Sequence, residues 1–170
     1  MNIHSHKTGT ILGQLLCLIL IFFSYTEVNA QFKISGNASQ ASAQCYDLTP
    51  DSKNQEGNII SRQKINLKEN FTFSVTMNFG RQNLITSGAD GIAFILATDT
   101  IIPYSGSGGG IGYVGTSPSL VVEFDTYQNT NYNDPEDDHI ALIRNGNPDH
   151  NSNNTIAGPF SLGSNIEDQK

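Results

Sequence analysis

Residues 121–140, VVEFDTYQNTNYNDPEDDHI, set two strand-like apolar runs on either side of a loop, with six carboxylates and no lysine or arginine between Glu123 and Asp138. Carboxylates crowded into one folded loop repel each other unless cations neutralise them, so the segment calls for a fold that closes it around metal. Glu123 and Asp125 are two residues apart, so on an extended strand their side chains leave the same face and converge. Asn129, Asp134 and His139 return to the same point after the turn. Oxygen donors suit calcium, whereas carboxylates with one imidazole suit manganese or another first-row ion. Two adjacent ions sharing Asp125 and Asp134 use the whole donor set.

The rest of the chain argues for β structure. Phe71, Phe73, Val75, Met77 and Phe79 alternate with Thr72, Ser74, Thr76 and Asn78, which predicts a half-buried strand. Residues 91–97 (GIAFILA), 119–127 (SLVVEFDTY) and 139–143 (HIALI) are further β-rich runs, with weaker candidates at 31–35 and 59–67. Short strands between Gly-, Ser-, Asn- and Pro-rich turns, with no sustained helical period, predict an all-β antiparallel sandwich or jelly roll. After residue 143 only the short apolar run 159–162 stands out, so the sandwich is expected to be incomplete at its C-terminus.

The first thirty residues read as a separate unit. Lys7, the apolar run 11–25 and Val28-Asn29-Ala30 before Gln31 predict a cleavable signal peptide over 1–30, with residues 31–170 forming one exported domain. That predicts a secreted or cell-surface location, with no membrane insertion of the mature domain. Cys17 leaves with the leader. Cys45 then has no partner and is expected to be a buried, inert thiol. A formal charge of −7 and a pI near 4.8 argue against a nucleic-acid or anionic-membrane partner and favour a neutral ligand. The residues leave self-association open.

Three motifs in order, Gly88-Ala89-Asp90-Gly91-Ile92-Ala93-Phe94, Gly108-Gly109-Gly110-Ile111-Gly112-Tyr113 and Val122-Glu123-Phe124-Asp125-Thr126-Tyr127 continuing to Asn129, Asp134 and His139, give the chain its likeness. It resembles the legume-type (L-type) lectins, especially their bacterial secreted relatives, over most of residues 31–158. The resemblance implies a concanavalin-like sandwich and a non-catalytic carbohydrate-binding domain that uses Ca2+ and Mn2+ or another transition-metal ion. It assigns Glu123, Asp125, Asp134 and His139 to the transition metal. To calcium it assigns Asp125, the Tyr127 carbonyl, Asn129 and Asp134. It places the sugar on Asp90, the Asn129 amide, the Gly109 backbone N–H and the Tyr127 ring, with a cis peptide at Ala89–Asp90. A sugar suits such a site, because its vicinal hydroxyls meet one carboxylate and its C–H face meets one ring. Strands that complete the family's second sheet, and a loop that selects among its sugars, are expected beyond this stretch.

Other readings are weaker. Asp125 and Glu136 stand at the first and last ligand positions of an EF-hand, but Thr130 replaces its glycine and the flanks are strands. A glycoside hydrolase on a similar sandwich would share Glu123 and Asp125, but retaining hydrolysis needs a second carboxylic acid about 5 Å from the nucleophile. Tyr127, Gln128 and Asn129 stand where that acid would fall. A structural surface or adhesion module that keeps the metals but binds no sugar is the remaining alternative. Asp137 and Asp138 are expected to be solvated loop charges, and His150, in an Asn-rich loop, an exposed histidine with no role.

Overall fold

A computed structural model describes residues 31–80, 88–98, 107–163 and 166–168. The predicted signal peptide lies outside the described residues. The chain is nearly all β and its sheets are antiparallel, in keeping with a legume-lectin sandwich. Among the described residues the only helical elements are 3-10 turns at Thr130–Tyr132 and Ile166–Asp168, and no helix is long and apolar enough to cross a membrane.

Two small ladders come first. β1 (Phe32–Gly36) pairs with β4 (Gly57–Ser61), and β2 (Ser39–Ser42) pairs with β3 (Cys45–Asp47). An edge-on contact between Phe32 and Tyr46, 5.4 Å between ring centroids, joins them. Cys45 is exposed, contrary to the expectation of a buried thiol. It sits in a three-residue strand paired with the wholly exposed β2, opposite Ser42, so its cross-strand neighbour leaves it open to solvent.

The main sheet is a four-stranded meander of β5 (Gly91–Ala97), β6 (Ser119–Asp125), β7 (His139–Arg144) and β8 (Thr155–Ser161). Because side chains alternate across a strand, register decides which residues share a face. Glu123 stands opposite Ala93 and Ala141, Val121 opposite Ile95 and Ile143, and Asp125 opposite Gly91 and His139. This face holds the buried cluster Tyr113, Val121, Ala141 and Ile143, with Ala93, Ile95 and Ile111 against it. The polar ends of the same face, Glu123, Asp125 and His139, are therefore carried into the interior by the strands that bury the core.

The other face carries Ile92, Phe94, Val122, Phe124, Ile140 and Leu142 in register. The segment predicted as a strand at 71–79 lies over it: Phe73 stacks against Phe94 at 5.3 Å and Phe79 against Phe124 at 6.0 Å. It forms no ladder among the described residues, and Phe71, Phe73 and Val75 are exposed. The alternation thus aims Phe73 and Phe79 at the sheet. Pairing, the other half of a strand, depends on a neighbouring backbone that alternation does not specify. β8 was not expected as a strand, because Gly158 and Pro159 interrupt its pattern; an edge strand tolerates proline, and the β7–β8 register shifts twice along its length.

Candidate functional site

β6 and β7 deliver Glu123, Asp125 and His139 to one end of the buried face, each 2 % exposed or less. The loop between them returns Asp134, and the loop after β7 returns His150, which is 9 % exposed. His150 Nε2 lies 3.4 Å from Glu123 Oε1, 3.3 Å from Asp134 Oδ1 and 3.0 Å from His139 Nε2. His139 Nε2 is 3.6 Å from the same Glu123 oxygen. The Tyr113 hydroxyl donates to Glu123 Oε2, which leaves the buried Oε1 without a hydrogen bond and facing the two imidazoles. Two sets of ligand atoms each gather within 4.8 Å: Glu123, His139 and His150, and Asp125, Asp134 and His139. An orphaned buried carboxylate oxygen among convergent nitrogens and oxygens fits a cation.

The electrostatics point the same way. Burial, then the charges of Asp134, Glu123 and Asp90, push the Asp125 carboxyl up to about 8, against the backbone N–H of Tyr127, which pulls it down. Burial and the charge of Glu123 drive the Tyr113 hydroxyl upward, so it stays a donor. The sign of the stability effect follows. With its folded pKa raised, Asp125 keeps a proton in the folded chain that the unfolded chain releases near pH 4. Its contribution is whole below that pH and is lost as pH rises towards 8. Metal-free protein is expected to be more stable at pH 5 than at pH 8 by about a few kcal/mol, and to melt at a correspondingly higher temperature. Thermal unfolding in EDTA checks this; a midpoint that rises with pH would show that Asp125 is not held in this repulsive cluster.

The carboxylate–imidazole cluster is bonded directly to the neighbouring loop. Tyr127 N–H donates to Asp125 Oδ1 at 2.7 Å, and Asn129 N–H to Asp134 Oδ2 at 2.6 Å. The Thr126 N–H donates to the Asp90 carbonyl at 3.0 Å, and the Ala89–Asp90 peptide is cis. Gly91, with φ +142, lies so close to the Phe124–Asp125 backbone that a Cβ would sit 3.0 Å from Asp125 Cα. Asp90 is thereby held beside the end of β6.

Above it passes the 108–109 backbone. A Cβ on Gly108 would stand 3.9 Å from Asp90 Oδ2, and one on Gly109 would overlap the Asn129 amide, 2.7 Å from Nδ2. Asp90, Gly109 and Asn129 are therefore brought together, with the buried Asn129 Oδ1 lacking a partner. Burial alone raises the Asp90 pKa. Tyr127 lies on the same loop with 37 % of its surface exposed. Gly109→Ala is expected to push the Asn129 amide aside, weakening any ligand held there by about tenfold or more while the metal cluster stays intact. Titration of ligand and of metal on the one variant separates the two effects.

His150 corrects the expectation of an exposed, idle histidine. Its N–H donates to the Tyr132 carbonyl at 2.9 Å, and the neighbouring Asp149 accepts from Asn133 Nδ2 at 2.7 Å, so the two loops are tied together. Gly115 N–H reaches the Gly146 carbonyl at 2.9 Å, which lays the loop after β7 over the Tyr113 turn. The Asn145-Gly146 turn is visible in the sequence, but the direction in which the following loop folds is not. Asp137 and Asp138 stay outside the cluster: Asp137 accepts from Ser161 Oγ and Asp138 from the Ile166 N–H, both at 2.7 Å.

An antiparallel β fold with a buried carboxylate–imidazole cluster beside the 108–109 backbone is a β-sandwich with a candidate metal site at one end of its buried face. The chain belongs to the L-type lectin family: residues 23–170 match the legume lectin beta-barrel domain. It is 32 % identical over 133 residues to a galactose-binding lectin of Arachis hypogaea, a match covering 71 % of this chain and 49 % of that one. Over 115 residues it is 29 % identical to pesticidal crystal protein Cry22Aa of Bacillus thuringiensis, with 67 % and 15 % covered. Over 154 residues it is 27 % identical to the L-type lectin-domain containing receptor kinase IV.2 of Arabidopsis thaliana, with 78 % and 23 % covered. The chain spans half or less of the length of these relatives. Membership supports carbohydrate binding in general, in a family of generally metal-dependent, non-catalytic binders.

Proposed function

We propose that residues 31–170 form a secreted or cell-surface domain that binds a neutral sugar without catalysis, on a loop ordered by Ca2+ beside a transition-metal ion. Asp90 accepts from two sugar hydroxyls, the Gly109 N–H and the Asn129 amide donate, and the Tyr127 ring covers a C–H face. Calcium would be held by Asp125, Asp134, Asn129 and the Tyr127 carbonyl. The observation that carries this reading is the convergence of Gly109 on Asn129 beside Asp90, on backbone tied by hydrogen bonds to Asp125 and Asp134. A hydrolase reading is disfavoured because Glu123 and Asp125 are buried and turned towards Tyr113, imidazole and backbone.

Calorimetric titration of the chain with galactose and with mannose, metal-loaded and then after EDTA, tests the proposal. Binding that disappears on chelation and returns with metal is the expected result. A folded, metal-loaded protein that binds no sugar would favour a structural module, and release of product from a polysaccharide would favour the hydrolase.

A further inference from the structure

The geometry points to His150 as a ligand of the transition-metal ion, giving that centre two imidazoles and a preference for zinc-like ions over manganese. The inference rests on the metal-dependent reading above and concerns which ion the site selects. Glu123 Oε1, His139 Nε2 and His150 Nε2 face one another at 3.0 to 3.6 Å, and Asp134 Oδ1 lies 3.3 Å from His150 Nε2. A tetrahedral ion with bonds of about 2.0–2.1 Å places its ligands about 3.3 Å apart, so Glu123, His139 and His150 already have the spacing of three ligands on one ion.

Each donor is also held in place from outside the cluster. Tyr113 occupies the other Glu123 oxygen, and Oε1 is buried with no hydrogen bond. The Asn129 N–H occupies the other Asp134 oxygen. His139 is fixed by its position in β7, and His150 by its backbone bond to Tyr132. The two Nε2 atoms are 3.0 Å apart, and only one shared proton can lie between them. A cation bound by both replaces that proton. Manganese favours oxygen donors, whereas zinc, cobalt and nickel gain more from a second imidazole, so His150 shifts selectivity towards the latter. Calcium, bound through oxygens of the neighbouring loop, does not involve it.

The test uses the full chain carrying His4→Ala and His6→Ala, which removes the imidazoles of the N-terminal segment. Zn2+ affinity is measured by competition with a chromophoric chelator and Mn2+ affinity by electron paramagnetic resonance, with and without His150→Ala. The expected result is a fall in Zn2+ affinity of about 10- to 100-fold with Mn2+ affinity changed by less than about threefold. Unchanged Zn2+ affinity overturns the assignment, and an equal fall for both ions overturns the selectivity. If His150→Ala does not fold, the Co2+-loaded protein decides: two hyperfine-shifted imidazole N–H signals support the two-histidine centre, and one signal overturns it. Galactose titration of the same samples keeps the two readings apart. Zinc bound through His150 without sugar binding sinks the lectin reading alone, and sugar binding with His150 silent sinks this one alone.

Discussion

Asp125→Ala is expected to abolish the thermal stabilisation that metal gives this protein and, with it, sugar binding. Asp125 is common to both ions in the proposed site, and its Oδ1 also holds the Tyr127 N–H. A ligand present at a thousandfold excess over its dissociation constant stabilises the folded state by about 4 kcal/mol. For a chain of this size that is a rise in melting temperature of about 10 °C. The wild-type protein should show a rise of this order on adding calcium and a transition metal, and the variant at most about 2 °C. The metal-free comparison has the opposite sign. At pH 8 the Asp125 carboxyl is crowded by Asp134, Glu123 and Asp90, so its removal relieves repulsion. Metal-free Asp125→Ala should then melt no lower than metal-free wild type. Differential scanning calorimetry of the four samples tests both signs. A variant that still gains about 10 °C with metal would show that Asp125 is not a shared ligand.

Asp90→Ala is expected to separate the two functions of the site. Each hydrogen bond to a charged group contributes about 1.5–3 kcal/mol, so losing a carboxylate that accepts from two hydroxyls should weaken sugar binding by about 100-fold or more. The Asp90 side chain belongs to neither group of ligand atoms, and its backbone carbonyl, which accepts from Thr126, survives the substitution. Metal-induced stabilisation should therefore persist within about 2 °C of wild type. Calorimetric sugar titration and a melting curve on the same preparation supply both readouts. Normal sugar binding by Asp90→Ala would remove this residue from the site, and joint loss of both properties would make it a structural residue.

Much of this site could be read along the chain because the residues concerned are close in sequence on strands with strong patterns. Glu123 and Asp125 alternate with Val122 and Phe124, and that period alone places both carboxylates on one face. The runs 91–97 and 139–143 appear as β5 and β7, the latter one residue longer. Asp134 and His139 needed only the turn that joins two adjacent strands. Gly109 was legible through its motif, and the structure supplies the physical reason: its missing side chain makes room for the Asn129 amide.

His150, Tyr113 and the 71–79 segment could not be placed in this way. Nothing in an Asn-rich loop shows that its histidine will be buried 3.3 Å from Asp134. The phenol of Tyr113 reaches Glu123 from a turn that is bonded, through the Gly115 N–H and the Gly146 carbonyl, to the loop after β7. The alternation at 71–79 aimed Phe73 and Phe79 at the sheet but supplied no ladder partner. The sequence by itself determined the β class, the face on which the carboxylates gather and the crowding of negative charge there, because these depend on local period and local charge. The tertiary structure decided how many imidazoles the cluster contains, which carboxylate oxygen is left without a partner and which loop covers Asp90. Those depend on where separate loops pack, and packing is set by contacts between residues far apart in the chain.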